Sequence, residues 1–391
     1  MRFCHLPATL AIWFAFSTVS AAFSVLQPKI PPGYTPEDAR TEQGIWMELK
    51  DYERAIQRSA LLVKDEQLSD YVKAAACRVA RDYCPDLRIY VIRNPSFNAS
   101  MTANGVMVIW TGLLVRVSSE DELAAVLGHE LAHYTQLHTL DRLRRIKKNM
   151  AAGSVFDLGL ILLTGASVPV GQFAAIASLM AFSRDQEEEA DLLGAQFMAQ
   201  SDYDPHAAAK VWEMIVEEDE SAAVKRRKPG LFSKTHPSSA GRIVTLKGFV
   251  SEKYSKITPD PAGKKRHVEI LNRHYMQLME DQLDTNRFGR TEAILGKHRE
   301  IGVDQSLIYF FQGEMYRQRN GDGDAKLAQE AYMRAVEGMK PVAEAYLNLA
   351  YMYLKEKSLS QAKYNFSQYL ELKPDADDRA MIEFYLQEIQ P

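Results

Sequence analysis

Cysteine is nearly missing from this chain of 391 residues, which carries only Cys4, Cys77 and Cys84. A thiolate-held metal centre therefore does not fit, and a disulfide-dense scaffold is excluded. Charge of one sign is also missing. The 47 Lys and Arg stand against 51 Asp and Glu, a formal net charge of −4. That balance suggests no nucleic-acid partner. The one basic run, Arg142 to Lys148, is short and reads as a solvated helix end. Long internal apolar runs are absent as well. The most apolar stretch, Met150 to Phe182, is broken by Asp157, Pro169, Gly171 and Gln172. It falls short of the ~20 residues that cross a bilayer. It reads as two buried or half-buried helices that cover a site or touch a membrane surface. With 46% hydrophobic residues, the chain has the composition of a soluble globular protein.

The first 22 residues differ from the rest. Arg2, an apolar run and then small residues read as a secretory signal peptide cleaved near Ala21 or Ala22. An uncleaved membrane anchor is the alternative. No lipobox precedes Cys4. Secretion implies an oxidising compartment, where Cys77 and Cys84 are free to pair. Seven residues along one straight helix span about 10 Å, too far for a disulfide. Pro85 follows Cys84, however, and a helix end there brings the two within reach.

What the chain does have centres on His129, Glu130 and His133, within LAAVLGHELAHYTQLH. Ser119 and Glu122 have capping-box spacing and start a helix about two and a half turns before His129. Residues four apart share a face, so both imidazoles point the same way. Two neutral imidazoles so placed can fill two corners of a tetrahedral zinc site. Glu130 is then placed to take a proton from a metal-bound water. Leu123, Val126, Leu127 and Leu131, with Ala124, Ala125 and Ala132, make the helix apolar on most sides. Buried histidines beside a buried glutamate need a partner, and a cation is the simplest one. The competing reading is a core helix whose histidines hydrogen-bond to nearby carboxylates.

Two histidines leave a catalytic zinc site one protein ligand short. The segment SRDQEEEADLLGAQFM offers acids. Glu187 and Asp191 share a helix face with Gly194 and Ala195. Glu188 falls on another face and reads as solvated, while spacing leaves Glu189 ambiguous. Without the histidine motif, the three glutamates would read as a surface charge run.

Together, HELAH and SR-x-x-E-x-E-A-D resemble the HtpX-type zinc metallopeptidases. The resemblance extends to NPSFNASMTANGVMVIWTGLL, from Asn94 to Leu114, and to THPSSAGRI, from Thr235 to Ile243. It implies an α+β, mostly α fold, in which a zincin-like metallopeptidase domain contains a small β-sheet. It implies one Zn2+ held by His129, His133 and Glu187, with Glu130 as general base and Asp191 orienting a ligand imidazole. In that family His236 and Arg242 lie beside the active site. His236 is expected as a fourth or regulatory ligand that keeps the site latent. Arg242 is expected to position it or to stabilise the oxyanion. The plainer alternative is that His236 fixes its loop and Arg242 makes a structural ion pair.

Leu87 to Arg93 and Asn104 to Trp110 are rich in β-branched and aromatic residues and read as two strands. Asn104 to Trp110 is the expected edge on which an extended substrate pairs, with an ordinary core strand as the alternative. Glu217 to Pro229 reads as a mobile surface loop, and residues 258–267 as a linker.

Beyond it, Tyr346, Leu349, Ala350, Tyr353, Ala362, Phe366 and Pro374 follow the 34-residue tetratricopeptide pattern. Tyr309, Gly313, Tyr316, Ala328, Tyr332, Ala335 and Pro341 mark the unit before it. Residues 268–300 read as a degenerate first repeat, and Asp375 to Gln390 as a capping helix. The expected division is a signal peptide at 1–22, a zinc metallopeptidase domain at 23–257, a linker at 258–267 and an α-solenoid of tetratricopeptide repeats at 268–391.

This domain order resembles the branch of the family that enhances β-barrel assembly. The resemblance implies a periplasmic endopeptidase of Gram-negative envelopes that degrades misfolded or stalled outer-membrane proteins. It also implies contact with the barrel-assembly machinery through the repeats, a chaperone role in assembly and peripheral contact with the membrane. The alternative is a mostly latent metallopeptidase that acts as a repeat-based chaperone or scaffold.

Overall fold

A computed structural model describes residues 24–35, 40–149, 181–224, 231–237 and 240–389. The expected signal peptide, and all but two residues of the Met150–Phe182 stretch, lie outside them. The chain is mostly helical with one small sheet, as the resemblance implied. Among the described residues, no helix is long and apolar enough to cross a membrane.

Helices α1 (Arg40–Arg58) and α2 (Glu66–Ala80) precede the sheet. Arg81 takes a left-handed φ of 49° and ends α2, and a 3-10 turn runs from Arg81 to Asp86. The chain thus doubles back, Cys77 and Cys84 have Cα atoms 4.7 Å apart, and they are disulfide-bonded. The sheet contains β1 (Arg88–Ile92), β2 (Ala99–Met101) and β3 (Val106–Trp110) in the order β1-β3-β2. β3 runs parallel to β1 and antiparallel to β2, with Ala99 opposite Ile109. The expectation that Asn104 to Trp110 forms the edge is therefore overturned. β3 is central and buried at every residue, as suits an apolar run with no polar alternation. The two edges are β1 and β2, and the three residues of β2 are too few to display a period.

Next come α3 (Thr111–Arg116), α4 (Glu120–Thr135) and α5 (His138–Asn149). α4 carries the histidine motif and is buried along its whole length. Ser119 Oγ caps it by accepting from Glu122 N at 3.2 Å. Glu122 returns its carboxylate to Ser118 N at 2.7 Å, one residue earlier than a capping box requires. In the basic run on α5, Arg145 is exposed but Arg142 is buried, its guanidinium 4.2 Å from the Phe182 ring centroid. Arg142 is thus not part of a solvated helix end.

α6 (Arg184–Gln200) has a full capping box of Ser183 and Gln186. It crosses α4 at glycine on both sides. A Cβ on Gly194 would lie 2.9 Å from His129 N, and one on Gly128 3.0 Å from Gly194 O. Only glycine lets the two backbones approach this closely. α7 (His206–Val224) extends through residues 217–224. Those residues are helical, not the expected loop, because Glu217, Glu218 and Ala222 sustain a helix as readily as a solvated turn. α8 (Leu231–Thr235) and α9 (Ala240–Tyr254) follow.

Of the stretch 258–267, only residues 258–260 lie outside helices. Asp260 accepts from Ala262 N at 2.9 Å, and Pro261 opens α10 (Pro261–Leu283) at a position where its missing N–H costs nothing. α11 (Phe288–Ile301), α12 (Gln305–Arg319), α13 (Asp324–Val336), α14 (Ala343–Lys355), α15 (Leu359–Leu372) and α16 (Arg379–Glu388) complete the chain. Short turns join them in pairs, and small residues let the pairs close: a Cβ on Gly313 would lie 2.5 Å from the Tyr332 ring. One core surrounds α4, with Leu123, Leu127, Leu193, Phe197 and Trp212. Another joins Leu271, Tyr275, Phe311, Tyr332 and Leu349, and it includes Val115 from α3.

Candidate metal centre

The crossing of α4 and α6 brings together residues 58 positions apart in sequence, His129 and Glu187. Turn spacing places His129 and His133 on one face of α4, and the two glycines let Glu187 reach them. His129 Nε2 lies 3.0 Å from His133 Nε2 and 3.5 Å from Glu187 Oε2. His133 Nε2 lies 3.5 Å from Glu187 Oε1. His236, between α8 and α9, adds its Nδ1 at 3.2 Å from His129 Nε2 and 3.1 Å from Glu187 Oε1. One donor atom from each of the four residues lies within 4.8 Å of the others, and all four residues are buried.

This donor set fits a zinc ion. Bonds of about 2.0–2.1 Å in tetrahedral array put ligand atoms about 3.3 Å apart, close to the separations here. The Nε2 atoms of His129 and His133 face each other at 3.0 Å. Two neutral imidazoles so placed are favourable only with a proton or a cation between their lone pairs. Nitrogen and carboxylate donors without thiolate match zinc among the common cations.

The surroundings hold each group in place. His129 Nδ1 faces Asp191 Oδ1 at 3.0 Å. Arg242 binds Asp191 through Nε and Nη2, both at 2.8 Å, and places Nη1 2.8 Å from Glu187 Oε2. The same Nη1 donates to Pro237 O at 2.8 Å and so ties down the His236 loop. Phe182 stacks on His133 at 3.7 Å between ring centroids, and Phe232 stacks on His236 at 4.5 Å. Trp212 meets His129 edge-on at 4.9 Å. Phe182 N donates to Thr235 O at 3.1 Å, which ties the segment that carries the ring over His133 to the His236 loop.

Protonation follows from burial and neighbours. Burial alone would lower His129, but Asp191 and Glu187 outweigh it and lift this imidazole to about 9. Burial pushes His133 well below the ordinary histidine value. Two rings in contact cannot both be charged, and Asp191 decides which one holds the proton. Burial would raise Glu187, yet His236 and the neighbouring imidazoles outweigh it and keep the carboxylate ionised far below its usual range. Burial raises Glu130, which makes it a better proton acceptor than a solvated carboxylate. Its Oε1 is 3.4 Å from His236 Nε2, so His236 lies between the donor cluster and Glu130.

All seven residues singled out in the sequence therefore meet: His129, Glu130, His133, Glu187, Asp191, His236 and Arg242. Glu188 is exposed, as its helix face required. Sequence reasoning missed His138, Arg142, Phe182 and Trp212. His138 and Arg142 are four apart on α5, a spacing that signals a shared face. For Phe182 and Trp212 no local signal exists, because their partners come from distant segments.

Residues 63–250 match the sequence pattern of Peptidase family M48. The chain is 26% identical over 295 residues to the beta-barrel assembly-enhancing protease of Escherichia coli strain K12, covering 72% of this chain and 60% of that protein. The protein of the same name from Yersinia pestis is 30% identical over 202 residues, 49% of this chain and 41% of its own. A mitochondrial metalloendopeptidase of Schizosaccharomyces pombe is 33% identical over 169 residues, 42% of this chain and 47% of its own. The chain thus spans about 60% of the length of the first of these relatives.

Proposed function

Since residues 63–250 of this chain are a peptidase domain of family M48, we propose that it is a zinc endopeptidase acting on misfolded or stalled outer-membrane proteins. The observation that carries this reading is the buried convergence of His129, His133 and Glu187 beside Glu130. These three residues would hold the ion, and Asp191 would fix the His129 ring. When bound, zinc supplies Lewis acidity toward a carbonyl and a water. Glu130 takes the proton from the attacking water and delivers it to the leaving amine. Arg242 acts through the carboxylates it grips, so it is a positioning residue.

His236 serves as a fourth donor that keeps the enzyme latent. Four protein donors make a closed site, whereas three leave a corner open. The withdrawal of His236 frees that corner and also frees Glu130. The remaining assignments rest on the sequence patterns of the two ends of the chain and on the resemblance they carry. They are a periplasmic location after signal-peptide removal, a tetratricopeptide-repeat domain beyond the peptidase, peripheral contact with the membrane, and contact of the repeats with the barrel-assembly machinery. A second reading, a mostly latent peptidase working as a chaperone, is favoured by the position of His236 within the donor cluster.

Zinc content and degradation of an unfolded protein by the purified chain test both readings. One zinc per chain, faster degradation by His236→Ala and none by Glu130→Gln are the expected results. A chain that takes up no zinc sinks the metallopeptidase reading. If cells carrying Glu130→Gln keep full envelope integrity, the chaperone reading prevails. Unchanged degradation by zinc-loaded His236→Ala removes the latency assignment alone.

A further inference from the structure

We propose that His138 and Glu189 form a hydrogen-bonded relay that orients His133 for metal binding, as Asp191 does for His129. This rests on the reading of His129, His133 and Glu187 as a zinc site. His133 Nδ1 lies 3.0 Å from His138 Nδ1, and His138 Nε2 lies 3.0 Å from Glu189 Oε2. Leu137 takes a φ of 60°, a conformation that non-glycine residues seldom adopt. That turn between α4 and α5 folds His138 back against His133, and His138 is 2% exposed.

The direction of the relay follows from what each group can donate. An ionised Glu189 only accepts, so His138 Nε2 carries a hydrogen. In neutral His138, Nδ1 is then a bare acceptor. His133 Nδ1 must therefore be the N–H that donates to it. His133 Nε2 is left with its lone pair facing His129 and Glu187, the tautomer that a metal requires. Without an acceptor at His138, His133 is free to place its hydrogen on Nε2, inside the donor cluster.

The two imidazoles are thus supported differently. Asp191 is buried and gripped by Arg242. Glu189 is 31% exposed, and Lys29 Nζ lies 4.0 Å from its Oε2. Lys29 belongs to the segment whose Lys29 N and Ile30 N donate to Thr135 O at the end of α4. The relay therefore runs from the donor cluster to the surface across three separate pieces of chain.

The test is competition of the full-length, metal-stripped chain against a zinc chelator, with thermal unfolding of the same metal-free samples. His138→Leu is expected to weaken zinc binding by about 10–100-fold. His138→Gln, whose amide can accept from His133 and donate to Glu189, is expected to restore most of that loss. Glu189→Leu, at a half-exposed position, is expected to follow His138→Leu and keeps the test valid if the buried variant fails to fold. Wild-type zinc affinity in Glu189→Leu and in folded His138→Leu, with only the unfolding temperature lowered, overturns the relay and leaves the zinc site standing. A wild-type chain that binds no zinc overturns both.

Discussion

Among the described residues, buried histidines occur in two regions, and their surroundings are opposite. At the seam between α10–α11 and the peptidase side, His267 Nε2 donates to Val117 O at 2.9 Å and Nδ1 accepts from Tyr71 OH at 3.0 Å. His298 repeats the arrangement, with Val115 O and Tyr275 OH each at 2.8 Å. Every ring nitrogen there has a partner of the complementary kind, and nothing is left to bind an ion. In the candidate metal centre, ring nitrogens face one another and a carboxylate. Burial of a histidine therefore does not by itself mark a site. What marks it is a second nitrogen aimed at another lone pair. The seam histidines bolt the helix pairs to the backbone just before α4, and Arg266 adds a two-pronged grip on Glu120 at 2.7 and 2.8 Å.

The largest expected effect tests the charged half of this contrast. Glu187→Ala leaves Arg242 and the imidazoles buried without their central anion. It should cost about 3–5 kcal/mol in the metal-free chain and abolish zinc uptake, read by denaturant unfolding and metal analysis. Glu188→Ala, one residue along but exposed, should stay within about 0.5 kcal/mol. Equal losses in the two variants would mean that Glu187 is not the centre of the cluster. Next comes Gly194→Ala, whose Cβ would meet His129 N at 2.9 Å. Pushing α6 from α4 should cost about 1–3 kcal/mol and weaken zinc binding with every ligand still present. Wild-type zinc affinity in that variant would deny the glycine contact its role in placing Glu187.

The neutral half of the contrast is tested through pH. Burial pushes both His267 and His298 down to about 4 from an ordinary value of 6.5. Glu120 and Lys297 face His267, and Lys297 faces His298. Well above pH 6.5 both rings are neutral whether the chain is folded or unfolded. As the pH falls from 6.5 toward 4, the unfolded chain takes up protons first, so stability drops. The slope is about 1.4 kcal/mol per histidine per pH unit. Replacing both with glutamine should flatten the slope of unfolding free energy between pH 6.5 and 5. An unchanged slope would place the pH sensitivity elsewhere, with His133 the next group to examine.

Much of the secondary structure was legible because it is local. The helix around HELAH, the strands at Arg88–Ile92 and Val106–Trp110, and the helix pairs of the second half each follow from period, caps and turn residues. The edge strand was misread because three residues cannot show alternation and edge status depends on which strands pair. Arg142 was misread because a basic run looks solvated until an aromatic ring from a distant segment covers one member. Residues 217–224 looked like a loop because acidic side chains serve exposed helix and exposed turn equally well.

Glu189 marks the boundary between the two kinds of information. Spacing left it undecided between two faces of α6, and only the fold of α5 against that helix put His138 within 3.0 Å of it. From the residues alone came the rules that are set within a few turns of chain: which side chains share a face, where helices start, and which acid types stand four apart. Which of those faces meet, which glycines touch, and whether a buried nitrogen finds a carbonyl or another lone pair were decided only by tertiary packing. Those outcomes depend on contacts between segments tens to hundreds of residues apart, and no short-range period encodes them.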